Sequence, residues 1–146
     1  MTPEQTIAFI KILNHHEILS FSDENLVALD LESGAEVKIR NDGSQLWFLN
    51  GKLHRTDGPA EILSYGTQLW FRRGEPSSEG ETHLNGKLHR TDGPAKILAD
   101  GSQFWLLNGQ RHREDGPAEI WADGAQRWWL NGEEVIREEH TRRTGR

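Results

Sequence analysis

One heptapeptide, HRxDGPA, occurs three times in this chain, from His54, His89 and His112. Its flanks repeat as well: "NGKLHRTDGPAEI" begins at Asn50, "NGKLHRTDGPAKI" at Asn85 and "NGQRHREDGPAEI" at Asn108. A unit this short cannot bury a hydrophobic face alone, so a chain that spells it repeatedly must stack each copy on its neighbour. Repetition therefore constrains the fold before any other feature does.

Tryptophans set the phase. Trp47, Trp70, Trp105 and Trp128 each stand three residues before a turn dipeptide: Asn50-Gly51, Arg73-Gly74, Asn108-Gly109 and Asn131-Gly132. Asn85-Gly86 is a fifth such turn, with Thr82 in the tryptophan position, and the turn-to-turn steps run 23, 12, 23 and 23. A second turn family lies between them at Asp42-Gly43, Tyr65-Gly66, Asp100-Gly101 and Asp123-Gly124. The segments so bounded are short and aromatic-rich, and their turn pairs tolerate the positive φ of tight hairpins, which predicts an antiparallel meander. Along "QLWFL", a period of two puts Gln45, Trp47 and Leu49 on one face, and Leu46 with Phe48 on the other. Ile62, Ile97 and Ile120 align along one side of successive units. The step of 12 reads as a unit shortened by one strand. On that reading the next Asn-Gly turn moves to the opposite edge of the sheet, taking His89 and His112 away from His54. The alternative is that "GEPSSEG" bulges out as a loop, with "ETHL" taking the missing strand's place; the edge switch is the favoured of the two.

The whole is mainly β: an elongated antiparallel meander with a short N-terminal helix, one domain in its 146 residues. Residues 1–41 hold that helix and lead-in strands, residues 42–132 the repeat sheet, and residues 133–146 a polar tail that frays or forms a short helix. Thr2 is placed to cap a helix begun by Pro3, with Gln5 completing a capping box. Between a second short helix from Ser22 and a strand through "NLVALDL" from about Val27, the strand is favoured, and "ESGAEVKIR" reads as a turn and strand leading into the repeats. The chain has no cysteine, which excludes disulfides and thiolate sites. Its net charge of -6 argues against general coating of nucleic acid. The N-terminus lacks the pattern of a signal peptide and no apolar run is long enough to span a bilayer, so a cytoplasmic protein is expected.

A unit with an aromatic strand, an NGK turn, a His two residues beyond that Lys, and a later DG resembles the MORN repeat, over roughly residues 42–132. HRxDGPA stands where that family usually has HGxG, which is similar to the divergent MORN-like repeats of bacterial and phage proteins. The resemblance implies successive hairpins in an extended sheet that serves mainly as an interaction scaffold, with lipid binding claimed for some members.

Two readings of HRxDGPA stay open. In one it is a corner: Asp57, Asp92 and Asp115 bond turn backbone, Gly58, Gly93 and Gly116 supply permissive dihedrals, Pro59, Pro94 and Pro117 fix the exit, Arg55 forks to Asp57 or to a neighbouring unit's carboxylate, and His54 packs beside a tryptophan. In the other, His54, Arg55, His89, Arg90, His112 and Arg113 form a ladder about 10 Å apart, two strand spacings, that offers cationic forks to phosphates or carboxylates. Catalytic chemistry is absent from the pattern: there is no nucleophile elbow, no phosphate loop and no cofactor motif. His15 and His16, adjacent at the end of the N-terminal helix, point apart, and with Glu17 they lack a further ligand for a metal. The expected function is a nonenzymatic module that binds another protein, with an inhibitor of a bacterial defence enzyme as its specific form. The alternative is a binder of a nucleotide or other phosphate-bearing ligand through the His-Arg ladder. Open sheet edges also leave a homodimer among the expectations.

Overall fold

The structure, a computed structural model, describes residues 2–5, 16–22, 24–55, 58–71 and 87–145. Its strands are β1 (His16–Phe21), β2 (Asn25–Asp30), β3 (Glu36–Arg40), β4 (Gln45–Leu49), β5 (Lys52–Leu53), β6 (Glu61–Ile62), β7 (Gln68–Leu69), β8 (Lys96–Ile97), β9 (Gln103–Phe104), β10 (Leu106–Leu107), β11 (Gln110–Arg111), β12 (Glu119–Ile120), β13 (Gln126–Leu130) and β14 (Glu133–Val135). Twelve of them make one sheet in the order β1-β2-β3-β4-β6-β7-β8-β9-β12-β13-β14, with β5 beside β4, while β10 and β11 pair as a separate hairpin. Every pairing is antiparallel, so the chain is the expected mainly-β meander.

At the N-terminus residues 3–5 are helical. The capping box forms in both directions: the Gln5 N–H donates to Thr2 Oγ1 at 3.1 Å, and the Thr2 N–H donates to Gln5 Oε1 at 2.9 Å. Gln5 is fully buried and its side-chain amide reaches the Ile39 carbonyl, tying this turn to β3. "NLVALDL" is a strand, as expected, starting at Asn25. His16 heads a strand rather than a helix end, and His15 lies outside the described residues.

The two turn families use glycine differently. At Asn50-Gly51, Asn108-Gly109 and Asn131-Gly132 both residues have positive φ (50–53° for Asn, 75–81° for Gly), the signature of two-residue type I′ hairpins. In the other family only the glycine is left-handed, as at Gly43 (φ 86°) and Gly101 (φ 90°), while Asp42 and Asp100 accept the N–H of Ser44 and Ser102 at 2.8 Å. Asp serves there as an acceptor, which is why Tyr65 can replace it only with loss of that bond.

The edge switch expected from the short step is overturned. His54, His89 and His112 donate their N–H groups to the carbonyls of Trp47, Trp70 and Trp105, in one row along one side. β7 pairs with β8 as β4 pairs with β6, and Phe71 bridges Leu88. Counted between tryptophans, the intervals are 23, 35 and 23 residues, so the second unit has gained residues between Phe71 and Leu88 and lost no strand. Closing a longer connection costs little more entropy than closing a short one, whereas a lost strand would forfeit a full set of ladder bonds. Asn85-Gly86 and the "GEPSSEG" and "ETHL" segments lie outside the described residues.

Both sheet faces carry apolar groups, as the alternation in "QLWFL" requires. On one face Leu26, Ala28, Val37, Ile39 and Trp47 form a sealed cluster with Ile62 against it. On the other, Leu46, Leu53 and Ala60 pack with Phe48 and Phe71. Fully burying each of the large residues contributes about 1.5–3 kcal/mol. Past β6 the first face continues as a register row in which Ile62, Gln68, Ile97, Gln103, Ile120 and Gln126 alternate. The expected isoleucine spine is thus interleaved with glutamine and is only half-buried. On the opposite face the buried Glu119 carboxylate is neutralised by Arg111, whose guanidinium also lies 5.2 Å from the Trp129 ring.

The polar tail forms a helix, Arg137–Thr144, with Glu138 and Glu139 in its first turn and Arg142 and Arg143 in its last, matching the helix dipole. Arg142 and Arg143 both donate to Glu139, and Arg143 also to Glu133 of β14. These bonds, from Arg142 first, pull the Glu139 carboxyl down from 4.5 to about 2. The sign follows from a depressed pKa: the contribution is complete above the unfolded-state value and disappears as pH falls through about 2. Acid titration followed by helix amide exchange is expected to show loosening of the helix in that window, and Glu139→Gln is expected to be flat across it. A Glu139→Gln profile that matches wild type would refute the assignment.

Candidate functional site

The HRxDGPA corner is built from the hairpin register. Because Asn50-Gly51 is a two-residue turn, Trp47 stands opposite His54, yet the Trp47 N–H donates to Ala60. One residue of β4 therefore bonds two separate points of the returning chain. The same bonds recur as Trp70 with His89 and Ala95, and as Trp105 with His112 and Ala118. In these two corners the Arg90 and Arg113 N–H groups turn to the Leu106 and Trp129 carbonyls of the next unit, and residues 91–94 and 114–117 are squeezed out of the ladder between the two contacts.

The arginine folds the excursion back. Cζ of Arg55, Arg90 and Arg113 lies 4.1, 4.3 and 4.0 Å from the ring centroids of Trp47, Trp70 and Trp105. Above the guanidinium sits the glycine of the motif: a Cβ on Gly58, Gly93 or Gly116 would stand 3.1, 2.9 or 3.0 Å from Arg Cζ. Each arginine is thus held between an indole below and a bare Cα above. Its edges are used too. Nε of Arg90 and Arg113 donates to Oδ1 of Asp92 and Asp115 at 2.7 and 2.8 Å, and Nη1 donates to the Pro94 and Pro117 carbonyls at 3.3 and 3.2 Å. The Arg90 bond holds the Asp92 carboxyl below the usual carboxylate range.

The expected role of the glycines is corrected, while the expected fork from Arg to the Asp of its own motif forms in the second and third corners. Gly58, Gly93 and Gly116 are not left-handed, so the motif needs glycine for space against the guanidinium and not for a permissive dihedral. Asp92 and Asp115 bind the arginine, and Asp57 lies outside the described residues.

The histidines join units. Nδ1 of His89 accepts the Asn108 N–H, and Nδ1 of His112 accepts the Asn131 N–H, both at 3.0 Å. Each histidine thereby pins the next unit's turn. Further bonds run from Gly109 N–H to Leu88 and from Gly132 N–H to Arg111. After the last unit the C-terminal helix takes the place of a fourth corner: His140 Nε2 lies 2.6 Å from the Arg113 carbonyl, and Arg137 Cζ is 5.8 Å from the Trp128 ring. No repeat motif announces this cap, because HRxDGPA does not recur after Trp128. Its one sequence signal is spacing: Arg137 follows Trp128 by nine residues, close to the eight that separate Arg113 from Trp105.

The structure brings all six expected site residues into one row of corners, each with a part in the fold; a ligand at Arg90 or Arg113 would share it with Asp92 or Asp115. Between the second and third corners lies an open groove of about 730 Å³, lined by Arg90, Asp92, Pro94, Trp105, His112 and Glu114 among others. Thr91, Asp92, Glu114 and Asp115 are exposed at its rims. Among the described residues no group of three or more His, Asp or Glu is placed to hold a metal, and no helix is long and apolar enough to cross a membrane. Compared with protein-family models, with curated proteins and with solved structures, the chain matches none.

Proposed function

We propose that the chain is a nonenzymatic protein-interaction module whose row of rigid corners is the contact surface. The observation that carries this reading is the Trp-Arg-Gly sandwich, repeated at three corners and hydrogen-bonded at its edges in the second and third. It uses each cation to hold a rib of backbone out of the sheet in one conformation. Pre-ordered ribs lower the entropy lost when a partner docks, and the groove between them adds area. The position between Arg and Asp, Thr91 in one corner and Glu114 in the next, is exposed and takes no part in the sandwich. The finer readings, a MORN-like scaffold and an inhibitor of a bacterial defence enzyme, rest on the resemblance of the repeats alone. The alternative ligand is a phosphate-bearing small molecule on the His-Arg row.

Stoichiometric capture of a protein from host extract is expected with the wild type and is expected to be lost in a folded Thr91→Arg, Glu114→Lys variant. Nucleotides and inorganic phosphate are expected to leave the melting temperature unchanged. A clear thermal shift with a nucleotide, abolished by Arg113→Ala, would replace this reading with the phosphate one.

A further inference from the structure

We infer that Asn50-Gly51 is a site of spontaneous deamidation, set apart from the equivalent Asn108-Gly109 and Asn131-Gly132 turns by its place at the start of the array. The local sequence is the same at all three: Leu, Asn, Gly. All three asparagines are exposed and sit in the same left-handed conformation, with φ of 53°, 50° and 51°. What differs is how the turn is held. The Asn108 N–H is bonded to His89 Nδ1 and the Gly109 N–H to the Leu88 carbonyl, at 3.0 and 2.8 Å. The Asn131 N–H is bonded to His112 Nδ1 and the Gly132 N–H to the Arg111 carbonyl, at 3.0 and 2.9 Å. These bonds come from the preceding unit. Asn50 belongs to the first unit, which has no corner before it, and among the described residues no such bond reaches Asn50 or Gly51.

The chemistry uses the amide that those bonds occupy. The Gly51 nitrogen gives its proton to solvent base and attacks Cγ of Asn50. An N–Cγ bond forms, the Cγ–Nδ2 bond breaks, and the side-chain amide leaves as ammonia. Water then opens the cyclic imide at one of its two carbonyls, leaving an aspartyl or isoaspartyl residue. The balance is one water consumed and one ammonia released, with no oxidant or cofactor. A glycine nitrogen already donating to a carbonyl must first give up that bond, and a turn pinned at its asparagine N–H must open before the nitrogen can approach Cγ. Two hydrogen bonds of ordinary net strength slow that opening on the order of tenfold to a hundredfold. The isoaspartyl product would also insert an extra backbone atom into the hairpin that places Trp47 opposite His54.

The test is incubation of the intact protein in mildly alkaline buffer, with peptide mapping for the amide-to-acid mass change and for isoaspartate at the three turns. Asn50 is expected to convert on the order of tenfold or more faster than Asn108 or Asn131 in the native state. In denaturant the three rates are expected to converge, because the local sequences match. His112→Ala is expected to raise the Asn131 rate toward that of Asn50. Equal native rates at the three turns would overturn the inference, as would a ratio that persists in denaturant. Should His112→Ala fail to fold, the native-to-denatured comparison decides without it.

Discussion

Replacing Gly116 by Ala is expected to destabilise the protein by about 1–3 kcal/mol, as overpacking does, although the residue is not left-handed and an added methyl elsewhere of this kind is usually harmless. The new Cβ would stand 3.0 Å from Arg113 Cζ, with the Trp105 ring on the other side of the guanidinium. Arginine cannot retreat into the indole, so it must leave the slot, giving up the ring contact and its bonds to Asp115 and Pro117. Arg113→Ala alone removes the same contacts and is expected to cost about 2–4 kcal/mol, from a cation-π contact and charge-assisted hydrogen bonds discounted for partial exposure. The informative quantity is the double mutant. With Arg113 already truncated, Gly116→Ala has nothing to expel and is expected to become neutral or stabilising by about 0.4–1 kcal/mol through the unfolded chain. Urea unfolding of the four proteins gives the cycle. A Gly116→Ala cost that is unchanged in the Arg113→Ala background would mean that the glycine serves some other purpose.

The same corner shows what could be read from the residues and what could not. Period two along "QLWFL", the Asn-Gly and Asp-Gly turns among the described residues and the capping box at Thr2 and Gln5 are local features, and each is realised where the sequence places it. The arginine sandwich is not local. Arg55 and Arg113 follow their tryptophans by eight residues and Arg90 follows Trp70 by twenty, yet the three contacts differ by only 0.3 Å in distance. No fixed spacing announces that contact. It follows from the register: the His N–H is bonded to the Trp carbonyl in all three corners, whatever the length of chain between them, and so the next residue lies beside the ring. The register also exposes the error in reading the short step. A dipeptide of turn composition can occur twice in the sequence between two tryptophans, as Arg73-Gly74 and Asn85-Gly86 do between Trp70 and Trp105, whereas strands that pair on both sides cannot be dropped without breaking the ladder. Counting from tryptophan to tryptophan follows the strands and gives the continuous row.

Protection of the sheet edges is likewise set by where strands stop. Among the described residues the sheet ends at β1, whose pairing with β2 is interrupted by a bulge between Ile18 and Ser20, and at β14, three residues long with exposed Glu133 and Glu134. Bulges, short strands and charges are the usual means of blunting an edge against pairing with another copy. Composition shows only that edges exist, since the residues that guard them are fixed by the register of the terminal strands.

His140→Ala is expected to undock the C-terminal helix as a unit, at a cost of about 2–4 kcal/mol from the lost buried side chain and its hydrogen bond. By hydropathy the tail's anchors should be Val135 and Ile136, its only apolar residues, but Ile136 is 69% exposed while His140 is 2% exposed. The imidazole reaches back to the Arg113 carbonyl at 2.6 Å, in the third corner. A helix of eight residues is too short to persist in water without tertiary contacts, so little of it is expected to survive the loss of that anchor. Hydrogen exchange is the decisive measurement: amides of residues 137–144 are expected to lose protection while those of β2, β3 and β4 keep theirs, since the sealed cluster around Val37 and Ile39 is remote in the strand order. Ile136→Ala, by contrast, is expected to change stability by less than about 0.5 kcal/mol, as surface substitutions usually do. His140→Gln, which keeps a side-chain N–H donor, is expected to recover part of the protection. If Ile136→Ala releases the helix and His140→Ala does not, the array is capped by apolar contact and the histidine is a bystander.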